Sequence, residues 1–359
     1  MQKIKIKDFF INMSLFVFVL ILCMFVLEIT IRIISPTPFD PQLGLVPNRN
    51  MKFSVNLSGV SPVIDYTTNK WGFRGDHVLE NIEDYYFILT IGGSTTECFY
   101  LDDKDTWPYH LQTLINNDSK NNKTIVQNAG RDGHSSRGHL LMMKNIVPKI
   151  KPDAIIFLVG INDLGLSLDT QRYLHNPDEE KGISYKLFSK SRLIRMIYSW
   201  KQAMMGEVAL SKAAHGNIIL KNLTQEESTL SLDYHEELIS LQDYEKNIRD
   251  IIKIGQENNI RMIFMTQPIL FDDTEYWSNI EAKTAWIRDE KLYLSAKTYA
   301  KMLEKYNQKL LDICVSESIE CYDLANEIPH MGDYFYDMVH FNEKGSGLVS
   351  EKIYDYLKK

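Results

Sequence analysis

Five short apolar runs constrain this chain most, because each ends in small or polar residues and is followed by a helical pattern. They are Phe87–Ile91, Thr124–Asn128, Ala154–Val159, Ile260–Met265 and Ile319–Leu324. Helices are predicted over Thr106–Ile115, Ser136–Ile150, Tyr234–Asn258, Leu292–Ser316 and Glu343–Leu357. In the third of these, Leu238, Leu241, Tyr244, Ile248, Ile251 and Ile252 recur at helical spacing. Strands alternating with helices mean βαβ units, hence a five-stranded parallel sheet with helices on both faces. Sites in such sheets lie beyond the carboxyl ends of the strands. The residues there are Gly92-Gly93-Ser94-Thr95-Thr96, Ala129-Gly130-Arg131-Asp132-Gly133, Gly160-Ile161-Asn162-Asp163 and Thr266-Gln267-Pro268. None supplies a metal cluster, so no metal and no cofactor is expected. Residues 164–232 and 271–291 interrupt the alternation and leave from the same edge, where long segments form lids or substrate walls.

The N-terminus is of another kind. Lys3, Lys5 and Lys7 precede an uncharged run, Phe9–Leu27. About 20 apolar residues span a bilayer as a helix. A cleaved signal peptide would have a shorter apolar stretch ending in a small-x-small site. The exit here is bulky (LEITIRIISP) and leads into Pro36 and Pro38. The expectation is an uncleaved anchor in the cytoplasmic membrane, N-terminus inside by the lysines, remainder outside. The expected division is 1–34 cytoplasmic tip and transmembrane anchor, 35–85 linker and lead-in, and 86–359 the main domain.

Composition removes other classes. The formal net charge is −7, with 40 basic and 47 acidic residues. With no basic stripe, nucleic acid is not an expected partner. Four cysteines are too few for a disulfide scaffold and lack the paired spacing of a zinc site. Cys314, late in a helix, and Cys321, in the next strand, could bridge or remain two buried thiols. An oxidising compartment favours the bridge.

Ser94 sits where a strand turns into a helix, after two glycines. A serine nucleophile needs a base, and the base needs an orienting group. Asp337 and His340 stand three apart just before the last helix. An oxyanion needs donors; the candidates are the N–H groups of Ser94 and Gly130 and the amide of Asn162. Taken alone, Ser94 could merely cap a helix, and His340 could lie on the surface. Asp163 reads as a turn-stabilising Asx residue. His134 and His139 read as packing or surface histidines, Trp71 and Arg74 as braces for the sheet. Glu97 and Cys98 receive no role.

In their order these blocks resemble the SGNH hydrolases, also called the GDSL family of esterases and lipases. Ser94 in Gly92-Gly93-Ser94-Thr95-Thr96, Gly130 in Asn128-Ala129-Gly130, Gly160-Ile161-Asn162-Asp163, and Asp337-Met338-Val339-His340 match the four blocks. Gly93 stands where many members have Asp, a position outside the triad. The resemblance implies a three-layer α/β/α, flavodoxin-like fold. It also implies a serine esterase with Ser94 as nucleophile, His340 as base and Asp337 as its orienter. The oxyanion would be held by Ser94, Gly130 and Asn162. The GGSTT form with Thr106-Trp107-Pro108 downstream resembles membrane-anchored bacterial members that act on envelope or exported polysaccharides. The expected substrate is therefore an O-acyl, foremost O-acetyl, ester on a glycan. An acyltransferase using the same triad, a lipase or thioesterase, and a silent glycan-assembly protein are the alternatives. The complete triad argues against the last.

Overall fold

The computed structural model describes residues 2–34, 43–75, 82–118, 123–169, 173, 191–194, 221–232, 238–287 and 290–359. Most of the first expected insertion, and residues 35–42 and 76–81 of the lead-in, lie outside these.

Helix α1 (Gln2–Ile34) is continuous. Its Asp8–Ile34 stretch is long and apolar enough to cross a membrane. At 1.5 Å per residue, 27 residues reach about 40 Å, more than a bilayer core of about 30 Å. Phe16, Phe18 and Phe25 are each more than 60% exposed, so this apolar surface is not used by the fold.

Strands β1 (Asn50–Ser54) and β2 (Val63–Thr67) form an antiparallel hairpin, Phe53 opposite Ile64. Along β2, Ile64 and Tyr66 are buried and Val63 and Asp65 exposed, the two-residue period of a half-covered strand. The described part of the lead-in is no linker. Leu43, Leu45 and Phe73 belong to the main hydrophobic core. Arg74 makes an isolated bridge to Asn128 and donates its N–H to that carbonyl at 2.8 Å, covering a strand edge.

The central sheet contains β3 (Tyr86–Gly92), β4 (Thr124–Asn128), β5 (Ala154–Leu158), β7 (Arg261–Met265) and β10 (Glu320–Tyr322). Its order is β10-β7-β5-β3-β4, every pair parallel. All five residues of β5 are buried, as both faces are covered. After β3 the chain moves outward to β4, then crosses back to β5 on the other side. The order reverses between β3 and β5, and a crevice opens beyond their carboxyl ends.

After β3 come α2 (Ser94–Glu97) and α3 (Trp107–Asp118). After β4 come α4 (Ser136–Asn145) and α5 (Val147–Ile150), and after β5 comes α6 (Ile161–Ser167). The remaining described helices of eight or more residues are α7 (Gln225–Leu232), α8 (Leu241–Glu257), α9 (Ala296–Glu317) and α10 (Glu343–Leu357). Helix α3 packs with α10, while α4, α8 and α9 form a second layer, completing the α/β/α sandwich. Helix α8 buries Tyr244, Ile248, Ile251, Ile252 and Gly255, one stripe at helical period.

The largest departure from expectation is at Leu292. A helix is predicted to begin there, yet Glu290–Ser295 is strand β9, paired antiparallel with β8 (Ile280–Ile287). Leu294 is buried, and Ser295 then caps α9 by accepting from Thr298 N–H. With β6 (Lys221–Asn222) these strands make a three-stranded sheet. Helix α8 likewise starts at Leu241 rather than residue 234; residues 233–237 lie outside the description. Cys314 and Cys321 are disulfide-bonded, their Cα atoms 6.0 Å apart.

Candidate active site

Ser94 is the first residue of α2, directly beyond β3. The glycines before it are needed for close approach rather than for unusual dihedrals. A Cβ at Gly93 would stand 2.3 Å from the Asn162 amide nitrogen, and one at Gly92 would stand 2.1 Å from Thr96 Oγ1. Ser94 Oγ lies 2.8 Å from His340 Nε2, and His340 Nδ1 lies 2.7 Å from Asp337 Oδ2. Asp337 Oδ1 accepts the backbone N–H groups of Val339 and His340, at 2.9 and 2.8 Å. The ring of Tyr336 stacks on the imidazole at 5.4 Å, nearly parallel. Burial pushes the Asp337 carboxyl up, but the bonds from His340 and the two N–H groups outweigh it and hold it below its ordinary range. The imidazole is thus fixed from three sides, with one nitrogen at the serine.

Ser94, His340 and Asn162 border one cleft of about 280 Å³. Asn162 comes from α6, and its amide donates one hydrogen to His134 O at 2.9 Å. A primary amide has a second hydrogen. The backbone N–H of Ser94 has no hydrogen-bond acceptor among the described residues.

Gly130 departs from its expected place. Its N–H donates to Asn128 Oδ1 at 2.9 Å, so it is occupied by a local Asx turn. It does not border the cleft either; Asp132 and Gly133 do. The N–H of Gly133 has no acceptor among the described residues, and its φ is +74°. Gly130 is a packing glycine: a Cβ there would meet Glu97 N at 2.3 Å. The signal that could have found Gly133 was the Asn-x-Gly spacing itself, which marks the Gly130 N–H as used.

Asp163 is buried, and its carboxylate crosses to α4 instead of closing its own turn. It accepts Ser136 Oγ at 2.5 Å and Ser136 N–H at 3.0 Å. Burial raises its pKa to about 6 although the Ser136 bonds oppose the shift. His139 is buried and His134 half-buried, and desolvation lowers them to about 3 and about 4, which keeps both neutral. Arg74 donates to Asp103 at 2.5 Å and to the carbonyls of Cys98 and Leu101, and stacks over Tyr66 at 4.1 Å. It braces the chain just after α2. Burial pushes the Cys98 thiol up to about 12, so it stays protonated.

The far wall of the cleft comes from the second insertion. Lys283, Thr284 and Trp286 of β8 face the site, with Trp286 48% exposed. Asp169 stands beside them, and Trp286 N–H bonds Leu168 O at 2.9 Å. Nothing in the sequence marked this tryptophan.

A model of the GDSL-like lipase/acylhydrolase family matches residues 90–348. No curated protein matches the chain. Similar solved structures include a GDSL-like lipase from Bacteroides thetaiotaomicron, 12% identical with TM-score 0.41, covering 79% of this chain and 92% of that one. The esterase EstA from Pseudoalteromonas sp. is 14% identical with TM-score 0.42, covering 76% and 97%. An acetylxylan esterase from Geobacillus stearothermophilus is 13% identical with TM-score 0.43, covering 75% and 92%.

Proposed function

Since this chain belongs to the GDSL-like lipase/acylhydrolase family, and is therefore an SGNH-type serine hydrolase acting on esters, we propose that it removes O-acyl groups from a glycan. Acetyl is the acyl group we favour, and the glycan belongs to the cell envelope or is exported past it. The observation that carries the chemistry is the relay of Ser94, His340 and Asp337, at 2.8 and 2.7 Å, opening on one cleft.

In this reading Ser94 Oγ attacks the ester carbonyl as His340 Nε2 takes its proton. Asp337 keeps the other ring nitrogen protonated and stabilises the imidazolium. The N–H groups of Ser94 and Gly133 and the second amide hydrogen of Asn162 hold the oxyanion; Gly133 replaces Gly130 because Gly130 is already bonded. His340 returns the proton to the leaving alcohol. Water, activated by the same imidazole, then releases the acid. The cleft suits a short acyl group, and its rim suits a sugar. Trp286 offers an apolar ring face, and Asp132, Asp169, Lys283 and Thr284 surround it with polar groups. A ring with C–H groups on its faces and hydroxyls on its edge matches that pattern.

Placement outside the cytoplasm is supported by Lys3, Lys5 and Lys7 ahead of the apolar stretch of α1 and by the Cys314–Cys321 bond. The test is hydrolysis by the full-length protein in detergent. Acetyl aryl esters should be cleaved faster than octanoyl ones, and acetate should be released from an O-acetylated polysaccharide. A preference for long acyl chains, or no release from any acetylated glycan, overturns the substrate reading. A reporter fused after Lys359 that works only in the cytoplasm overturns the topology.

A further inference from the structure

We infer that Glu97 is a positioning residue, whose buried carboxylate holds the Asp132–Gly133 turn so that the Gly133 N–H faces the substrate carbonyl. The inference rests on the reading of Ser94 as nucleophile and of Gly133 as an oxyanion donor.

Glu97 ends the short helix that Ser94 begins, and its side chain is 1% exposed. Oε1 accepts from Tyr66 O–H at 2.8 Å and from Arg131 Nη1 at 2.9 Å. Oε2 accepts the backbone N–H of Asp132 at 2.6 Å. A buried carboxylate needs donors and a counter-charge; here the donors come from β2 and from the loop after β4. The loop is held at two more points. Arg131 N–H donates to Gly92 O at 3.0 Å, and His134 O accepts from the Asn162 amide at 2.9 Å. Gly133 stands between the held residues.

The loop is a turn closed by His134 N–H on Arg131 O at 3.1 Å. Gly133 occupies the third position with φ +74°, the left-handed value of a type II turn. A type I turn would differ by reversal of the Asp132–Gly133 peptide. That reversal would carry the Gly133 N–H away from the cleft. Gly133 at the third position already favours this form, and Glu97 adds a fixed anchor directly ahead of the peptide. Glu97 grips the N–H immediately before the peptide in question, and does so from the helix that carries Ser94. Nucleophile and oxyanion donor are thereby set by one side chain, and the sequence before residue 86 takes part through Tyr66.

The experiment compares wild type with Glu97→Met and Glu97→Asp, using an aryl acetate and a trifluoromethyl ketone that forms an oxyanion on Ser94. Glu97→Met removes every acceptor; Glu97→Asp keeps the charge beside Arg131 but is one methylene short of Asp132 N–H. Displacing an oxyanion donor without deleting it should lower kcat by about tenfold to hundredfold, with KM little changed. The ketone's inhibition constant should rise by a similar factor. Glu97→Asp should show the same split, smaller, and remains informative if Glu97→Met fails to fold. A purely structural role lowers the folded fraction and Tm but leaves the inhibition constant alone. A wild-type inhibition constant in the folded variants overturns the inference. Full activity in Ser94→Ala instead overturns the nucleophile reading beneath it.

Discussion

The two loops that meet at Ser94 are built on different principles. The corner at Asp337–His340 is built from side chains: a carboxylate, an imidazole and a hydroxyl in line at 2.7 and 2.8 Å. The Arg131–His134 turn opposite is built from backbone, and its contribution is the direction of a peptide N–H. Residue type dictates the first, so the order of the four blocks in the chain was enough to mark its candidates. The second depends on which N–H groups are already used and on which way one peptide faces, and residue type says little about either.

Breaking the side-chain corner should have the largest effect. Ser94→Ala should lower kcat on the order of 10⁴-fold or more, and Asp337→Asn by a similar order through the wrong imidazole tautomer. Steady-state kinetics on an aryl acetate reads both, and near-normal turnover in either would dissolve the contrast drawn above. The opposite side should lose less. Asn162→Ala removes one donor and should reduce kcat roughly 10²–10³-fold, with KM nearly constant.

A pair of glycine variants sharpens the comparison within the turn. Gly133→Ala places a Cβ at φ +74°, a strain of about 1–2 kcal/mol, and should act mainly on kcat as the turn relaxes. Gly130→Ala pushes a Cβ to 2.3 Å from Glu97 N, and should act mainly on Tm, at about 1–3 kcal/mol of overpacking. Thermal melts beside kinetics normalised to folded protein separate them; the reverse pattern would restore Gly130 to the oxyanion site. The smallest effect on turnover concerns Asp163, which acts on stability alone. Its pKa is about 6 in the fold against an ordinary 3.8. The native state therefore keeps a proton that the unfolded chain has lost. Stability from this group is greatest below about pH 4 and declines by up to about 3 kcal/mol as pH rises to 6. Asp163→Asn should abolish that decline, which denaturant titrations at pH 4 and 6 would show.

The central strands were legible because runs such as Ala154–Val159 are apolar throughout, which only a doubly covered strand tolerates. Ser94 and Asn162 were legible as candidates because each follows a readable strand, Asp337 and His340 because they stand three apart just before the last helix. Strand β9 was not, since Glu290–Ser295 continues without a break into the apolar pattern of α9, and its period-two signal is only six residues long. Glu97 and Trp286 were hidden for a related reason. Glu97 is ordinary in a helix until Tyr66 and the Arg131-Asp132 pair are brought to it from two distant stretches. Trp286 is a core residue by composition and becomes a rim residue only through the pairing of β8.

Leu43 sets a limit on range. It is buried in the core, and α1 ends at Ile34, so nine residue steps separate helix from domain. Fully extended, they reach about 30 Å. With α1 in a bilayer, that span caps how far Leu43 can stand from the end of the helix, and Ser191, Arg192 and Leu193 hold the domain to the helix at Glu28 as well. In the proposed reading, a soluble acylated polymer would be treated only while it passes close to the membrane surface. A flexible insert after Ile34, combined with Glu28→Ala to release Ser191, Arg192 and Leu193, would widen that zone in the proposed reading without touching the Ser94, His340 and Asp337 contacts.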